Sequence, residues 1–203
     1  MTDVRIGISM RETDAINYYE NRDSIAKDWY VFLKKIMPKA KFLLIPNIKE
    51  DVKDFLKYWN INSIILTGGE SLGSSIDRDL TEEIIFEYAK SNLIPILGIC
   101  RGFQAIYKWH GGIILNNRSK FHNSSRHKIK LHNESYDVNS YHGNILDESS
   151  KPNELKVIAR CEHDSTIEAY TGDKILGLMW HPEREKNINI FDKRMIKSLF
   201  NYE

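Results

Sequence analysis

The sequence predicts an α/β fold: a mostly parallel sheet with helices on both faces, extended by a smaller, partly antiparallel β region. Two observations predict it. Up to about residue 109, short apolar runs alternate with segments whose apolar residues recur at helical spacing, four times over. Such strand-then-helix units imply parallel strands, because each helix carries the chain back to the edge where the last strand began. After Gly111-Gly112 the alternation stops, and short strands follow one another with little helix between them.

In order, Val4 to Ser9 reads as the first strand. Asp23 or Ser24 can cap a helix whose apolar face is Ile25, Trp29, Phe32, Leu33 and Ile36, and Pro38 ends it. Phe42 to Ile45 is the second strand, closed by Pro46, and Val52, Phe55, Leu56 and Trp59 mark the second helix. Ile64 to Thr67 is the third strand, followed directly by Gly68-Gly69. Ile84, Ile85, Tyr88 and Ala89 lie on the third helix. The apolar run from Leu93 to Ile99 is the fourth strand, and a helical pattern starts just after Cys100. Beyond the glycine pair come short strands at Ile113–Leu115, Ile129–Leu131, Leu155–Ala159, Ile167–Tyr170 and Ile175–Trp180. A last helix carries Ile190, Phe191, Met195, Ile196, Leu199 and Phe200. No linker or repeat interrupts the series, so residues 1–203 read as one domain.

Composition excludes several classes. The formal net charge of +1 gives no global field toward nucleic acid or membrane. The longest apolar runs fall far short of a membrane span, and the first residues read as a strand rather than a secretory signal. Two cysteines without a CxxC pair argue against a disulfide framework and for a cytoplasmic setting.

The chemistry centres on Gly98-Ile99-Cys100-Arg101-Gly102, a Gly-x-nucleophile-x-Gly elbow with cysteine as the nucleophile. At such a turn the side chain stands above the sheet at a helix N-terminus, where the dipole favours a thiolate. A buried structural cysteine is the competing reading. A cysteine nucleophile needs a base, and the base needs an orienting group. His181 ends an apolar strand, and Glu183 lies two residues on. In extended chain that spacing puts both on one side, about 6.5–7 Å apart along the strand. Glu183 can then accept from His181 Nδ1 and leave Nε2 for Cys100; a strand-end histidine beside a solvated glutamate is the alternative. Main-chain N–H groups of Gly69 and Arg101 are candidate oxyanion donors. Gln104, four residues after Cys100, shares its helix face and can grip a polar substrate.

Gly68-Gly69, then Gly98 through Gln104, then His181-Pro182-Glu183, in this order and at these spacings, resemble the class I glutamine amidotransferase-like family, with its flavodoxin-like fold. The resemblance implies a Cys-His-Glu triad that attacks a γ-glutamyl amide, forms a glutamyl-thioester and releases glutamate. Cys100 would be the nucleophile, His181 the base and then acid, and Glu183 the orienter. Gly69 and Arg101 would supply the oxyanion donors, and Gln104 would hold the glutamyl group. Finer features resemble the free-standing γ-glutamyl hydrolases of the family: Cys100-Arg101-Gly102, Val138-Asn139-Ser140-Tyr141-His142, Ile167-Glu168-Ala169 and Arg22-Asp23-Ser24-Ile25. By that likeness Ser140, Tyr141 and His142 lie at the glutamyl end, Glu168 faces its α-amino group, and Arg22 belongs to the substrate region. Tyr141-His142-Gly143 departs from the two histidines and glutamine usual there. The resemblance implies a small-molecule γ-glutamyl substrate, no cofactor and no obligatory synthetase partner. A glutaminase subunit and a non-catalytic binding module are the competing readings.

Arg118, Lys120, Arg126, His127, Lys128 and Lys130 crowd one loop-rich stretch of an otherwise neutral chain. Arg118 and Arg126 are therefore candidates to contact a phosphate-bearing, nucleotide-linked leaving group, against the alternative of a solvated hairpin. His122, His127 and His132 recur every five residues, but no cysteine or carboxylate completes a zinc set, so no metal is expected.

Overall fold

The computed structural model describes residues 3–116, 122–123 and 125–202. Its centre is a nine-stranded sheet in the order β4-β1-β5-β6-β13-β12-β11-β8-β9. The strands are β1 (Arg5–Ser9), β4 (Lys41–Ile45), β5 (Ser63–Leu66), β6 (Ile96–Ile99), β8 (Ser125–Leu131), β9 (Glu134–Ser140), β11 (Lys156–Cys161), β12 (Ile167–Gly172) and β13 (Ile175–Leu178). From β4 to β13 neighbours run parallel; from β13 to β9 they run antiparallel. The later strands thus continue the first sheet, and β13 is the hinge between the two halves.

The helices cover both faces, as the alternation requires. On one face α1 (Asp28–Ile36) and α5 (Ile190–Leu199) bury Trp29, Phe32, Leu33, Ile36 and Ile196 against Ile6, Ile8, Ile65, Leu97 and Ile99. On the other, α2 (Val52–Tyr58), α3 (Ile76–Ser91) and α4 (Arg101–Trp109) bury Val52, Leu56, Ile85, Phe86, Phe103 and Ile106 against Ile64, Leu66 and Ile96. Ile64, Ile65 and Leu66 therefore alternate between two cores, which is why this strand is apolar at every position. No helix among the described residues is long and apolar enough to cross a membrane.

Two expectations are corrected. Asp23 and Ser24 do not cap α1. They lie in β3 (Asn21–Ser24), which forms a hairpin with β2 (Arg11–Asp14). The Asp23 carboxylate is taken by the Asn47 backbone N–H at 2.9 Å and side-chain amide at 2.6 Å. The predicted strand Ile129–Leu131, which lies in β8, also has an unforeseen partner: β9 pairs with β8 through a turn in which His132 and Asn133 both have positive φ, 48° and 70°. Two such residues match the twist of a tight hairpin. A smaller pair, β7 (Ile114–Asn116) with β10 (Asn144–Leu146), lies beside the main sheet.

Candidate active site

Three C-terminal strand ends, those of β5, β6 and β13, converge on one spot. Cys100 follows β6 directly, and its backbone N–H donates to Leu178 O at 2.8 Å, in line with the Leu178–Ile99 register of β13 and β6. The two ends of the sequence that carry cysteine and histidine are thus joined by one parallel ladder. Cys100 has φ 51° and ψ −97°, a backbone conformation an L-residue adopts only under constraint. Close packing imposes it: a Cβ on Gly98 would lie 2.6 Å from Ile106 Cδ1, and one on Gly102 would strike the Leu66 carbonyl. Only glycines on both flanks let α4 descend this close to β5 and β6.

His181 lies three residues past β13 and is buried, as are Cys100 and Glu183. Its Nδ1 is 2.7 Å from Glu183 Oε1. Its ring and the Cys100 side chain meet beside Gly68. Gly68 makes this meeting possible: a Cβ there would sit 2.5 Å from His181 Cε1, 3.4 Å from Nε2 and 3.5 Å from Cys100 Cβ. Burial alone lowers the His181 pKa, but the charge of Cys100 and hydrogen bonds to Cys100 and Glu183 outweigh it and raise it to about 9. Facing a carboxylate, Nδ1 is the ring nitrogen that carries a proton, and its N–H donates to Glu183.

The loop after β5 is held from beneath. Buried Arg78 of α3 donates to Thr67 O at 3.0 Å, Gly68 O at 3.2 Å, Glu70 Oε1 at 2.9 Å and Glu82 Oε1 at 2.9 Å. A side chain on Gly69, whose φ is 154°, would run into that guanidinium. Arg101 points its own guanidinium into the same buried cluster and pairs with Glu82 Oε2 and Asp79. Burial alone would raise the Glu82 pKa; the Arg78 and Arg101 charges and a bond from Ser9 hold it below the usual range. One carboxylate thus ties together the two segments whose main-chain N–H groups are the candidate oxyanion donors. Nothing in the sequence pattern flagged Arg78 or Glu82.

Gln104 is buried and lines a cavity of about 510 Å³ with Ser71, Leu72, Lys108, Asn116 and Asn144. Its Nε2 lies 3.7 Å from Met179 Sδ. A larger cavity of about 600 Å³ lies near Ile175, at the other end of β13 from His181. Tyr141 stands at the catalytic centre, with its ring 5.8 Å from that of His181 and under the Arg184 guanidinium, 4.9 Å from the ring centre.

Other candidates go elsewhere. The Ser140 hydroxyl donates to His122 O at 2.7 Å. His142 is buried, with Nδ1 2.9 Å from Asn144 O. Glu168, expected to face a substrate amino group, is fully enclosed among His122, His127 and His142. That also corrects the reasoning on metals: a carboxylate does join His122 and His127, brought in by β12, while His132 sits apart in the β8–β9 turn. Arg126 donates to Asp137 Oδ2 at 2.5 Å and Glu185 Oε1 at 2.9 Å, so its guanidinium is engaged within the protein. Arg22 is exposed on the β2–β3 hairpin and pairs with Glu20 and the Tyr18 hydroxyl. Arg118 lies outside the described residues.

Sequence reasoning quoted Asn139 within the Val138–His142 stretch but gave it no role. From β9 it accepts from the His181 backbone N–H at 2.9 Å and donates to His181 O at 2.8 Å and Glu185 Oε1 at 2.7 Å.

Comparison with known proteins identifies the family. Residues 19–200 match the family model described as glutamine amidotransferase class-I. The chain is 31% identical over 192 residues to a gamma-glutamyl-CDP-amidate hydrolase of Campylobacter jejuni, covering 91% of this chain and 92% of that one. It is 30% identical over 138 residues to a glutamine-hydrolyzing GMP synthase of Borrelia garinii, covering 63% of this chain and 25% of that one. A glutamine amidotransferase structure from Thermotoga maritima superposes with a TM-score of 0.65 at 16% identity, covering 90% of this chain and 77% of that one.

Proposed function

The chain belongs to the class-I glutamine amidotransferase family, and from that premise we propose that it is a cysteine-dependent γ-glutamyl hydrolase acting on γ-glutamyl-CDP-amidate. The observation that carries the chemistry is the buried relay from Glu183 through the His181 imidazole to Cys100 at its strained turn. In this reading the Cys100 thiolate attacks the γ-carbonyl carbon, and the carbonyl π electrons move onto oxygen. The Gly69 and Arg101 N–H groups stabilise that oxyanion. As the tetrahedral adduct collapses, the C–N bond breaks and protonated His181 gives its Nε2 proton to the departing nitrogen. Cytidine diphosphoramidate leaves, and Cys100 carries a glutamyl-thioester. Water then adds to the thioester, His181 taking its proton, and glutamate departs as the thiolate re-forms. Glu183 keeps Nδ1 protonated and the ring in one orientation throughout.

The nucleotide-linked substrate is supported by the likeness to the Campylobacter enzyme along nearly the whole chain. The cavity beside Gln104 offers room for the glutamyl end next to the thiol. Arg118 remains the candidate on the leaving-group side, with Arg126 tied to Asp137 and Glu185. Free-standing action in the cytoplasm, without a synthetase partner, belongs to the same reading. The test is glutamate release by the purified chain from γ-glutamyl-CDP-amidate, other γ-glutamyl amines and glutamine. Turnover of the nucleotide substrate well above glutamine supports the proposal. Turnover of glutamine alone, stimulated by a synthetase, replaces it with the ammonia-supplying role suggested by the likeness to GMP synthase.

A further inference from the structure

Arg184 directly follows Glu183, and its guanidinium lies over the ring of Tyr141, 4.9 Å from the ring centre. The same ring meets the His181 imidazole edge-on, with 5.8 Å between centres and 73° between planes. One aromatic ring therefore separates this cation from the base. The root of the arginine is fixed. It closes the short 3-10 turn Pro182–Arg184, and its backbone N–H donates to His181 O at 3.1 Å. Tyr141 is 45% exposed and the Arg184 side chain 33%, so a ligand can reach both from solvent.

Its partners set this arginine apart from the others near the site. Arg78 and Arg101 are buried and committed to Glu70, Glu82 and Asp79. Arg126 is held by Asp137 and Glu185. Arg184 Nε lies 3.6 Å from Glu183 Oε1, too long for a hydrogen bond, and that oxygen already takes His181 Nδ1 at 2.7 Å. Among the described residues the Arg184 guanidinium makes no hydrogen bond, and neither does the Tyr141 hydroxyl. Stacking on an aromatic ring uses the face of a guanidinium and leaves its in-plane N–H edge free. That edge matches two oxygens of a phosphoryl group or carboxylate. The stack thus presents a preorganised anion receptor beside the base.

We propose that Arg184, carried on the Tyr141 ring, binds the phosphoryl group of the leaving portion of the substrate and so determines specificity. The inference rests on the γ-glutamyl hydrolase reading above. In γ-glutamyl-CDP-amidate the phosphorus is bonded directly to the nitrogen that His181 protonates, so its anionic oxygens pass close to the base. The cavity assigned to the glutamyl end is lined by Gln104, Ser71, Lys108 and Asn144 among others, and neither Tyr141 nor Arg184 borders it. A cation outside that cavity and on the His181 side meets what lies beyond the scissile bond. Arg184 therefore fills the role for which Arg126, tied to two carboxylates, has no free edge.

The test follows glutamate release by the full chain from γ-glutamyl-CDP-amidate and from γ-glutamyl methylamide, whose leaving group carries no phosphate. Arg184→Ala is expected to lower kcat/KM for the nucleotide substrate about tenfold to a hundredfold more than for the methylamide, mainly through KM. Inorganic pyrophosphate is expected to compete with the nucleotide substrate in the parent, and about tenfold less well in the variant. Tyr141→Leu removes the platform and is expected to move both readings in the same direction. Should Arg184→Ala fail to fold, Arg184→Lys decides by the same readings, because it keeps the charge and loses the fork. Equal losses on the two substrates, with pyrophosphate inhibition unchanged, overturn the assignment and leave Arg184 as a support for Glu183; the hydrolase reading then still stands. A parent inactive on the nucleotide substrate removes that reading and this inference with it.

Discussion

Asn139 grips His181 by both backbone groups: its Oδ1 accepts from the histidine N–H at 2.9 Å, and its Nδ2 donates to the histidine carbonyl at 2.8 Å. The pair fixes the imidazole's root without touching the imidazole. Replacing Asn139 with alanine leaves two buried backbone groups without these partners, a loss of about 2–4 kcal/mol. Urea unfolding is expected to report that loss. Activity in the folded variant is expected to fall mainly in kcat, because the base is misaimed while the substrate cavity is intact. A change confined to KM would contradict this.

Gly68 is the narrowest point of the site, and a single methyl probes it. Alanine there puts Cβ 2.5 Å from His181 Cε1, so the ring must shift by about an ångström. Misplacement of that size costs on the order of 10²-fold in rate. Gly68→Ala is expected to keep its circular dichroism and lose glutamate release by that factor. Retention of full activity would show that Nε2 need not lie where the structure puts it.

The strain at Cys100 separates two substitutions that remove the same sulfur. Alanine keeps the side-chain clash at φ 51°, whereas glycine relieves it. Both variants are expected to be inactive. Cys100→Gly is expected to be more stable than Cys100→Ala by about 1 kcal/mol, measured by denaturant midpoint. Glutamate release by either variant would remove the thiol from the mechanism.

What could be read from the sequence divides along physical lines. The strand-helix alternation was legible because Ile64 to Leu66 and Ile96 to Ile99 are apolar at positions facing two separate cores. The meeting of Cys100 and His181 was legible because glycines and a Pro-Glu pair surround them in adjacent residues. The grip of Asn139 on His181 was not, because Asn139 lies in the largely polar strand Glu134–Ser140, whose first half shows no buried face. The β2–β3 hairpin escaped for the same reason: RETD and NRDS contain no apolar residue. The histidine cluster was hidden differently. Its members come from separate stretches, and only the antiparallel pairing that follows β13 places Glu168 among them. Spacing along the chain suggested His132 as the third member, but a hairpin turn carries it away.

In the proposed mechanism, His181 sets the alkaline limit of the reaction. The ring must carry a proton to release the leaving nitrogen, and its pKa lies at about 9. Glutamate release is therefore expected to fall as pH rises through about 9. The histidine's contribution to stability follows the same sign: it is fully present below its ordinary pKa and is lost as pH climbs through the raised one. Glu183→Gln removes one of the groups that raise the value, so its alkaline limb is expected at lower pH. A limb unmoved by that substitution would separate Glu183 from the base it contacts at 2.7 Å.

Asp192 gives the fold a pH dependence independent of catalysis. It is completely buried in α5, accepts from the Trp180 indole N–H at 2.9 Å, and lies 3.4 Å from the Asn189 amide. Burial raises its pKa from 3.8 to about 7; the Trp180 and Asn189 bonds oppose the rise, and the Glu185 and Glu183 charges add to it. The folded protein therefore holds a proton that the unfolded chain releases at lower pH. The Asp192 contribution to stability is fully present below 3.8 and is lost as pH rises through about 7, by up to about 4 kcal/mol. Asparagine keeps an oxygen for the indole and has no charge to bury. Asp192→Asn is expected to melt near the parent at pH 4 and above it at pH 8. A parent that melts above the variant at pH 8 would mean that the carboxylate is stabilised in its charged form.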